Sequence, residues 1–473
     1  MTSRRTLIVV AVATAMLMLD IAVVNTALSP IARDLRGGLD GLEWIVDAYT
    51  LALATAVLSC GSLADRFGRR RTFRLGLAMF SLASLGCGLS PSLMWLDAVR
   101  ALQGLGAAAM FATSLALLSD AYPDARTRGA AFATVGATIG ATFAIGPLIG
   151  GLITTAFGWR WIFFLNIPLG AVLTLAAGRA IRESSDPFPR PVDLPGQGTF
   201  AAGMLLVVLG LLRGGSEGWG SPIILAQLAS GGALLALFVG IERRSKHPML
   251  PIELFASRRF TTAQVTVFAI SASFFAIYLY ITLYLEEILH LSAISTGLVY
   301  LPATTLMFLA AGASIQLARH VPQRIMLAGS LALVGLGIAL LLVLEPGSSW
   351  LAAEPGLTIA GLGGGVFNAV GSELAMSAVP ERHAGLASGI NDTFRQGAIP
   401  LGVAVYGTLI PAGAAIGRGS ALAFVAGFHH ALLLAVAIAV AGACTAHRLL
   451  GGKHLRGPAG LPPETGLTSV SGQ

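Results

Sequence analysis

Residues 11–31 read "AVATAMLMLDIAVVNTALSPI", and one carboxylate, Asp20, is the only charge between residues 6 and 32. An apolar run of that length, rising about 1.5 Å per helical residue, crosses a hydrocarbon layer about 30 Å thick. The rest of the chain has the same character. Of its 473 residues, 55% are hydrophobic and only 11% charged, with a mean hydropathy of +0.78. Soluble domains carry about 25% charged residues, so the chain reads as an all-α integral membrane protein.

Charge-poor windows of spanning length recur fourteen times, at 6–28, 44–64, 75–90, 93–119, 129–157, 161–178, 196–212, 222–241, 260–285, 292–318, 325–344, 351–377, 384–411 and 420–446. Arg4 and Arg5 precede the first, as in a signal peptide, but its apolar run is long and lacks a small-residue cleavage site. It therefore counts as a span. Three cysteines, Cys60, Cys87 and Cys444, show no metal-site or disulfide spacing.

With the N-terminus inside, 23 of the 30 Lys and Arg residues fall on one side of the windows. Five fall on the other, namely Arg33, Arg36, Arg160, Arg213 and Arg418, while Arg100 and Arg395 stand inside windows. Positive charge marks cytoplasmic loops, so both termini are expected in the cytoplasm of a multi-pass cell-membrane protein. The net charge of +7 is then topology rather than a nucleic-acid patch.

An offset of 253 residues aligns "DRFGRRRTFRLG" with "ARHVPQRIMLAG", Ser119-Asp120 with Ser372-Glu373, and Pro147-Leu148 with Pro400-Leu401. Two six-helix bundles follow, with windows 7 and 8 inserted between them. The expected limits are a first bundle over 1–182, a linker and inserted pair over 183–258, a second bundle over 259–447 and a disordered cytoplasmic tail over 448–473. Such repeats place a transporter's site between the halves.

Between windows 2 and 3 stands "GSLADRFGRRR", with Gly61, Asp65, Arg66, Gly68 and Arg69. Its small residues permit close helix approach and its charges permit ion pairing; Asp120 joins this gating group. Window 4 carries "RALQGLGAAA", window 5 "GATIGATFAIGPLIGGLI", window 1 "LDIAVVNTAL", window 2 "WIVDAYTLA", and "WRWIFFLNIPLG" leads into window 6. Together these elements resemble the fourteen-helix drug:proton antiporter branch of the major facilitator superfamily, across the whole chain. The resemblance implies the major facilitator fold, a signature loop at 61–71, a membrane-buried arginine in Arg100 and a glycine-proline antiporter motif. In that motif Gly136, Gly140, Gly146, Gly150 and Gly151 form a small-residue face, and Pro147 removes a backbone bond and kinks the helix. Ordinary helix packing is the plain alternative; the resemblance favours a seal against leak. The second copy of the loop departs from the first, with Ala318 for Asp65.

A carboxylate near mid-membrane costs about 2.5 to 3.5 kcal/mol on the lenient insertion scale, so Asp20 needs a partner, a proton or a water-filled cavity. Arg100 is the candidate, because both residues lie about eight positions, roughly 12 Å, below the outer boundary. Asp20 is then expected to alternate between a proton and a cationic cargo. A static ion pair is the plain alternative, and an Asp20 walled off from any central cavity would rule the exchange out.

Glu373, Asp392 and Arg395 are further proton-coupling candidates along the inner half of the cavity. Asp392 and Arg395, three apart on one helix, could simply neutralise one another, and Glu373 could be structural. Asn25, Asp47, Gln103, Asn166, Tyr278 and Asn391 are expected substrate contacts, with Asp47 equally readable as a plain interfacial residue. Phe274, Phe275, Tyr278, Tyr280 and Tyr284 offer an aromatic surface for flat apolar compounds, or else pack helices. His429 and His430 read as an incidental interfacial pair rather than titrating groups.

The chain has no phosphate-binding glycine loop with its Lys, no metal-ligand cluster and no nucleophile with a recognisable base. It is expected to be no enzyme and to use a proton gradient rather than a cofactor. The expected function is proton-coupled antiport, exporting hydrophobic or cationic organic compounds from a monomer whose partners are small molecules, protons and the bilayer, with no nucleic acid. Export of one endogenous metabolite or lipid is the alternative on the same fold; a non-transporting membrane sensor or scaffold is the alternative of another class.

Overall fold

The computed structural model of the protein describes residues 2–185, 192–245, 247–318, 320–379, 384–411 and 420–450. Arg190, Lys246, Arg319, Arg382 and Arg418, used above to orient or align the chain, lie outside the described residues, as does the expected tail from 451.

The described spans are α1 (Thr2–Asn25), α2 (Leu39–Phe67), α3 (Arg69–Gly88), α4 (Leu93–Ala121), α5 (Ala125–Phe157), α6 (Arg160–Ala180) and α7 (Leu194–Glu217). They continue with α8 (Pro222–Arg244), α9 (Arg258–Ile288), α10 (Ala293–Leu317), α11 (Gln323–Val343), α12 (Glu354–Ser377), α13 (Ala384–Gly407) and α14 (Ala421–Leu449). Ten of them are long and apolar enough to cross a membrane, and eleven with bent α5 taken as one span. The others, α3, α12 and α13, have 20, 24 and 24 residues, enough for about 30 Å each. Polar residues, such as Arg69 to Arg71 in α3 and Asp392 and Arg395 in α13, dilute them. Fourteen crossings are consistent with this arrangement.

Local chemistry sets the helix ends. Side chains of Ser92, Asp124, Asp193, Ser257, Ser292 and Ser420 accept a first-turn amide and so cap α4, α5, α7, α9, α10 and α14. The tight α2–α3 turn needs Gly68, whose φ is +110°. Helix α5 bends by 42° between residues 142 and 144, where Pro147 lacks the amide that would bond the carbonyl of residue 143.

The packing is repeated. In the first half α1 packs on α4, α5 and α6, α2 on α4, and α3 on α4 and α6; in the second α9 packs on α12, α13 and α14, α10 on α12, and α11 on α12 and α14. The halves meet where α5 packs on α10 and α2 on α13. The inserted α7 lies across α2 and α13: the Gln197 side-chain amide donates to the Thr55 carbonyl at 2.7 Å, and Ser59 donates its hydroxyl to Gln197. Helix α8 packs on α7 and is the outermost, with 17% of its window buried. Leu82, Met94, Val172, Leu175, Leu225 and Leu433 are exposed, as suits a protein solvated by lipid. The end holding Arg66, Arg69 to Arg71, Arg128, Arg182, Arg243 and Arg258 is called the basic end below.

Candidate functional site

A cavity of about 390 Å³ lies between the halves, within the range that holds drug-sized ligands. Met18, Ile21, Ala22 and Asn25 of α1, Val46 and Thr50 of α2, Phe111 of α4 and Phe132, Gly136 and Gly140 of α5 wall one side. Phe274, Phe275 and Tyr278 of α9, Met307 and Phe308 of α10, Asn368 of α12 and Asn391, Asp392, Arg395 and Gln396 of α13 wall the other. The cavity reaches toward the basic end at Ala375, Met376 and Ser388.

The opposite end is shut. A Cβ on Gly151 would lie 2.3 Å from the Ala293 carbonyl oxygen, and one on Gly297 would lie 2.5 Å from that of Pro147. Glycine there is what lets α5 and α10 touch. Thr304 donates to the Ala144 carbonyl at 2.8 Å, and Arg33 pairs with Glu287 at 2.8 Å, both contacts joining the halves.

Within the cavity the polar groups gather on α13. Arg395 Nη1 donates to Asn368 Oδ1 at 3.0 Å, and its Nε stands 4.0 Å from Asp392 Oδ1. The Asp392 carboxylate also has the Ser388 hydroxyl as a hydrogen-bond partner, and it stands beside an aromatic wall. In α9 a π-helical turn, Ser271–Phe275, carries Phe274 and Phe275 into the lining, and Tyr278 stacks on Tyr300 at 4.2 Å. Tyr280 and Tyr284 point elsewhere, the latter donating to the Glu345 carbonyl at 2.7 Å.

Asp20 and Arg100 meet at 2.7 Å, with side chains 0% and 2% exposed. The second carboxylate oxygen accepts from Gln103 at 2.9 Å and Asn166 at 2.8 Å, and both amides also reach the Ser84 hydroxyl. Arg100 further donates to the Gln103 Oε1 at 2.7 Å and the Ile45 carbonyl at 3.1 Å, and lies 4.3 Å from the Tyr49 ring centroid. A buried pair is tolerable when its remaining donors and acceptors are filled in this way. The cluster sits inside the first half, and none of its members lines the cavity. Two expectations are corrected by this. Asp20 is walled off from the cavity, so direct competition between cargo and proton for its carboxylate is given up; Gln103 and Asn166 hold Asp20 rather than face cargo.

Other candidates are also placed apart. Asp47 is buried in the seam between the halves instead of at an outer opening, and Glu373 is exposed on α12 outside the cavity lining. Asn25, Tyr278, Asn391, Asp392 and Arg395 do line it. His429 contacts the Leu344 carbonyl at 2.8 Å, away from the cavity.

At the basic end, Arg69 bonds Asp65 at 2.8 Å and both oxygens of Asp120 at 2.8 and 2.9 Å, and Ser184 bonds Asp120 at 2.5 Å. This network lies wholly in the first half. Arg66 instead lies over the Phe67 ring, and Gly61 faces open space. In the α5 motif Gly146 and Gly150 meet α1 at Ala22 and Val23, Gly151 meets α10, and Gly136 and Gly140 border the cavity. On the connection between α1 and α2, hydrogen bonds from Arg160 at 2.5 Å and from the Trp159 indole at 3.1 Å hold the Asp34 carboxyl below the usual carboxylate range.

Sequence reasoning passed over Tyr49, Ser84 and Asn368. Tyr49 stood within the quoted "WIVDAYTLA", and Asn368 was a lone amide in an apolar window; Ser84 carried no signal.

A model of the Major Facilitator Superfamily matches residues 10–403. The chain is 35% identical over 407 residues to the multidrug resistance protein Stp of Mycobacterium tuberculosis, spanning 86% of this chain and 76% of that one. It is 34% identical over 409 residues to the puromycin resistance protein pur8 of Streptomyces alboniger, spanning 85% and 81%. With the methylenomycin A resistance protein of Bacillus subtilis it shares 32% over 422 residues, 88% and 90%. Among solved structures, a bacterial homolog to the human lysosomal transporter Spinster, inward-facing and unoccupied, superposes with a TM-score of 0.66 at 15% identity over 95% of this chain and 97% of that one. The nucleoside transporter NupG gives 0.62 at 12% identity, over 94% and 99%. Cavity, repeated packing and sequence likeness converge: this chain is a multi-pass membrane protein belonging to the Major Facilitator Superfamily.

Proposed function

We propose that this protein is a proton-coupled antiporter that exports hydrophobic or cationic organic compounds, drugs and antibiotics among them, across the cell membrane by alternating access. The carrying observation is the cavity between the halves, aromatic on most sides, with the Asp392 carboxylate in its wall beside Arg395, extending toward the basic end and shut at the other. By the positive-inside rule the basic end faces the cytoplasm, with both termini, so the conformation is ready to receive cargo from inside. The relatives named for drug and antibiotic resistance support the cargo class. Both cavity walls come from one chain, so a monomer suffices, and the proton gradient drives it without a cofactor.

The two acidic sites divide the work. Asp392 meets a cationic cargo. Asp20 takes the proton: once neutral, it loosens its hold on Arg100, and α1, which also supplies Met18, Ile21 and Asn25 to the cavity wall, is released to shift. The test is efflux of a fluorescent cation from everted vesicles, with and without an imposed pH gradient. Asp392→Asn is expected to lose cation export, and Asp20→Asn to lose its dependence on the gradient. Folded, inserted Asp20→Asn protein with undiminished proton-driven export refutes the coupling role, and gradient-independent behaviour of the wild type refutes antiport.

A further inference from the structure

Two acids on α2 have no part in the mechanism above. Glu43 and Asp47 stand four residues apart and are 1% and 0% exposed in the seam that α2 makes with α13, which Tyr280 of α9 also reaches. The Tyr280 hydroxyl oxygen of α9 lies 2.7 Å from Glu43 Oε1 and 2.5 Å from the Val403 carbonyl oxygen of α13. A hydroxyl has one proton, and a carbonyl can only accept. With Tyr280 donating to Val403, the Glu43 contact is a hydrogen bond only if Glu43 carries a proton of its own. Neither oxygen of Asp47 has a hydrogen-bond partner.

Among the described residues no cation compensates them. On α2 itself the next charge is Asp40, another acid. Tyr406 of α13 donates to the Ala272 carbonyl at 2.6 Å. Arg100 of α4 is engaged by Asp20 and the Ile45 carbonyl, and Arg213 of α7 by Glu217. An ionised carboxylate without a counter-charge is unstable away from water, so the shut seam holds both acids neutral. Were the halves to part at this end, water reaching the acids would let them ionise.

We propose that Glu43, Asp47 and Tyr280 form a proton-binding clasp between the halves, filled while the end away from the basic loops is shut and emptied when that end opens. Each carboxylate takes one proton on closing and returns it to the same side on opening. The clasp therefore adds nothing to the protons exchanged for cargo; it makes acid on that side hold the end shut. It is separate from Asp20 and Asp392 and rests on alternating access alone, whatever the cargo.

The test places spin labels at Gly38→Cys and Gly347→Cys, one on each half at the shut end, where an added Cβ meets open space. Cys60 and Cys444 are replaced by Ser in the full chain, and label distances are read in lipid nanodiscs between about pH 5 and about pH 9. The wild type is expected to gain a several-fold larger long-distance population at the alkaline end, while Glu43→Gln with Asp47→Asn stays short throughout. Tyr280→Phe, which keeps the ring and removes the hydroxyl, is expected to raise the long-distance population at acid pH, and it serves even if the double variant fails to insert. A wild type that does not respond to pH overturns the clasp, as does an equal response in the double variant or an unchanged acid-pH population in Tyr280→Phe. Cation export by the same proteins reports separately on the antiport reading.

Discussion

Neutralising Asp20 and Arg100 one at a time and then together measures how the buried cluster is held. Asp20→Asn leaves the Arg100 guanidinium buried without its counter-ion, a change that costs about 3–5 kcal/mol in other proteins. Here the lower end is expected, because Arg100 keeps the Ile45 carbonyl at 3.1 Å, the Gln103 oxygen at 2.7 Å and the Tyr49 ring at 4.3 Å. Arg100→Gln leaves Asp20 with amide donors from Gln103 at 2.9 Å and Asn166 at 2.8 Å, so its loss is also about 3 kcal/mol. With both replaced no uncompensated charge remains. The double variant should then fall short of the summed losses by about 2–3 kcal/mol, the coupling expected of a directly bonded pair. Unfolding free energies from denaturing-detergent titration, followed by loss of helical circular dichroism, provide the assay. Additive losses would refute the claim that each charge is kept in place chiefly by the other.

Two further outcomes follow from the same geometry. Gly151→Ala drives a Cβ to 2.3 Å from the Ala293 carbonyl oxygen and should cost about 1–3 kcal/mol, whereas Gly136→Ala, with nothing within 4 Å, should change stability by under about 0.5 kcal/mol; equal melting temperatures would contradict this division of the motif. Asp34 is held below its ordinary range by Arg160, so the stability it contributes is present at neutral pH and lost as pH falls through the carboxylate range. With the side chain 46% exposed, the effect is small and screened by salt. The melting difference between wild type and Asp34→Asn should therefore close between about pH 7 and about pH 3.

Spans, duplication and the Asp20–Arg100 pairing were legible because each leaves a one-dimensional trace: window length, a fixed offset, or equal depth below one boundary. Depth does not report azimuth. Asp20 and Asn25 lie five residues apart on α1, yet Asn25 lines the cavity and Asp20 turns inward to Arg100, Gln103 and Asn166. For the same reason Glu373, on the right helix, lies outside the cavity lining, while Asn368, five residues earlier, binds Arg395 inside it. Glu43 raised no question in sequence because an acid near a helix start is ordinary; only the meeting of α2 with α9 and α13 makes it unusual.

The added hairpin leans on one seam only. Where α7 crosses α2 and α13, Met204, Val208 and Leu212 rest on Leu51 and Ala404. These contacts are smooth hydrocarbon, and the amide of Gln197 grips only the first half. Under the alternating access proposed above, the hairpin would travel with α2 while α13 slides beneath it, as a shaft turns in a greased bearing. The two seams between the halves therefore differ on their lipid side: the one between α2 and α13 is covered by α7, and the one between α5 and α10 is not.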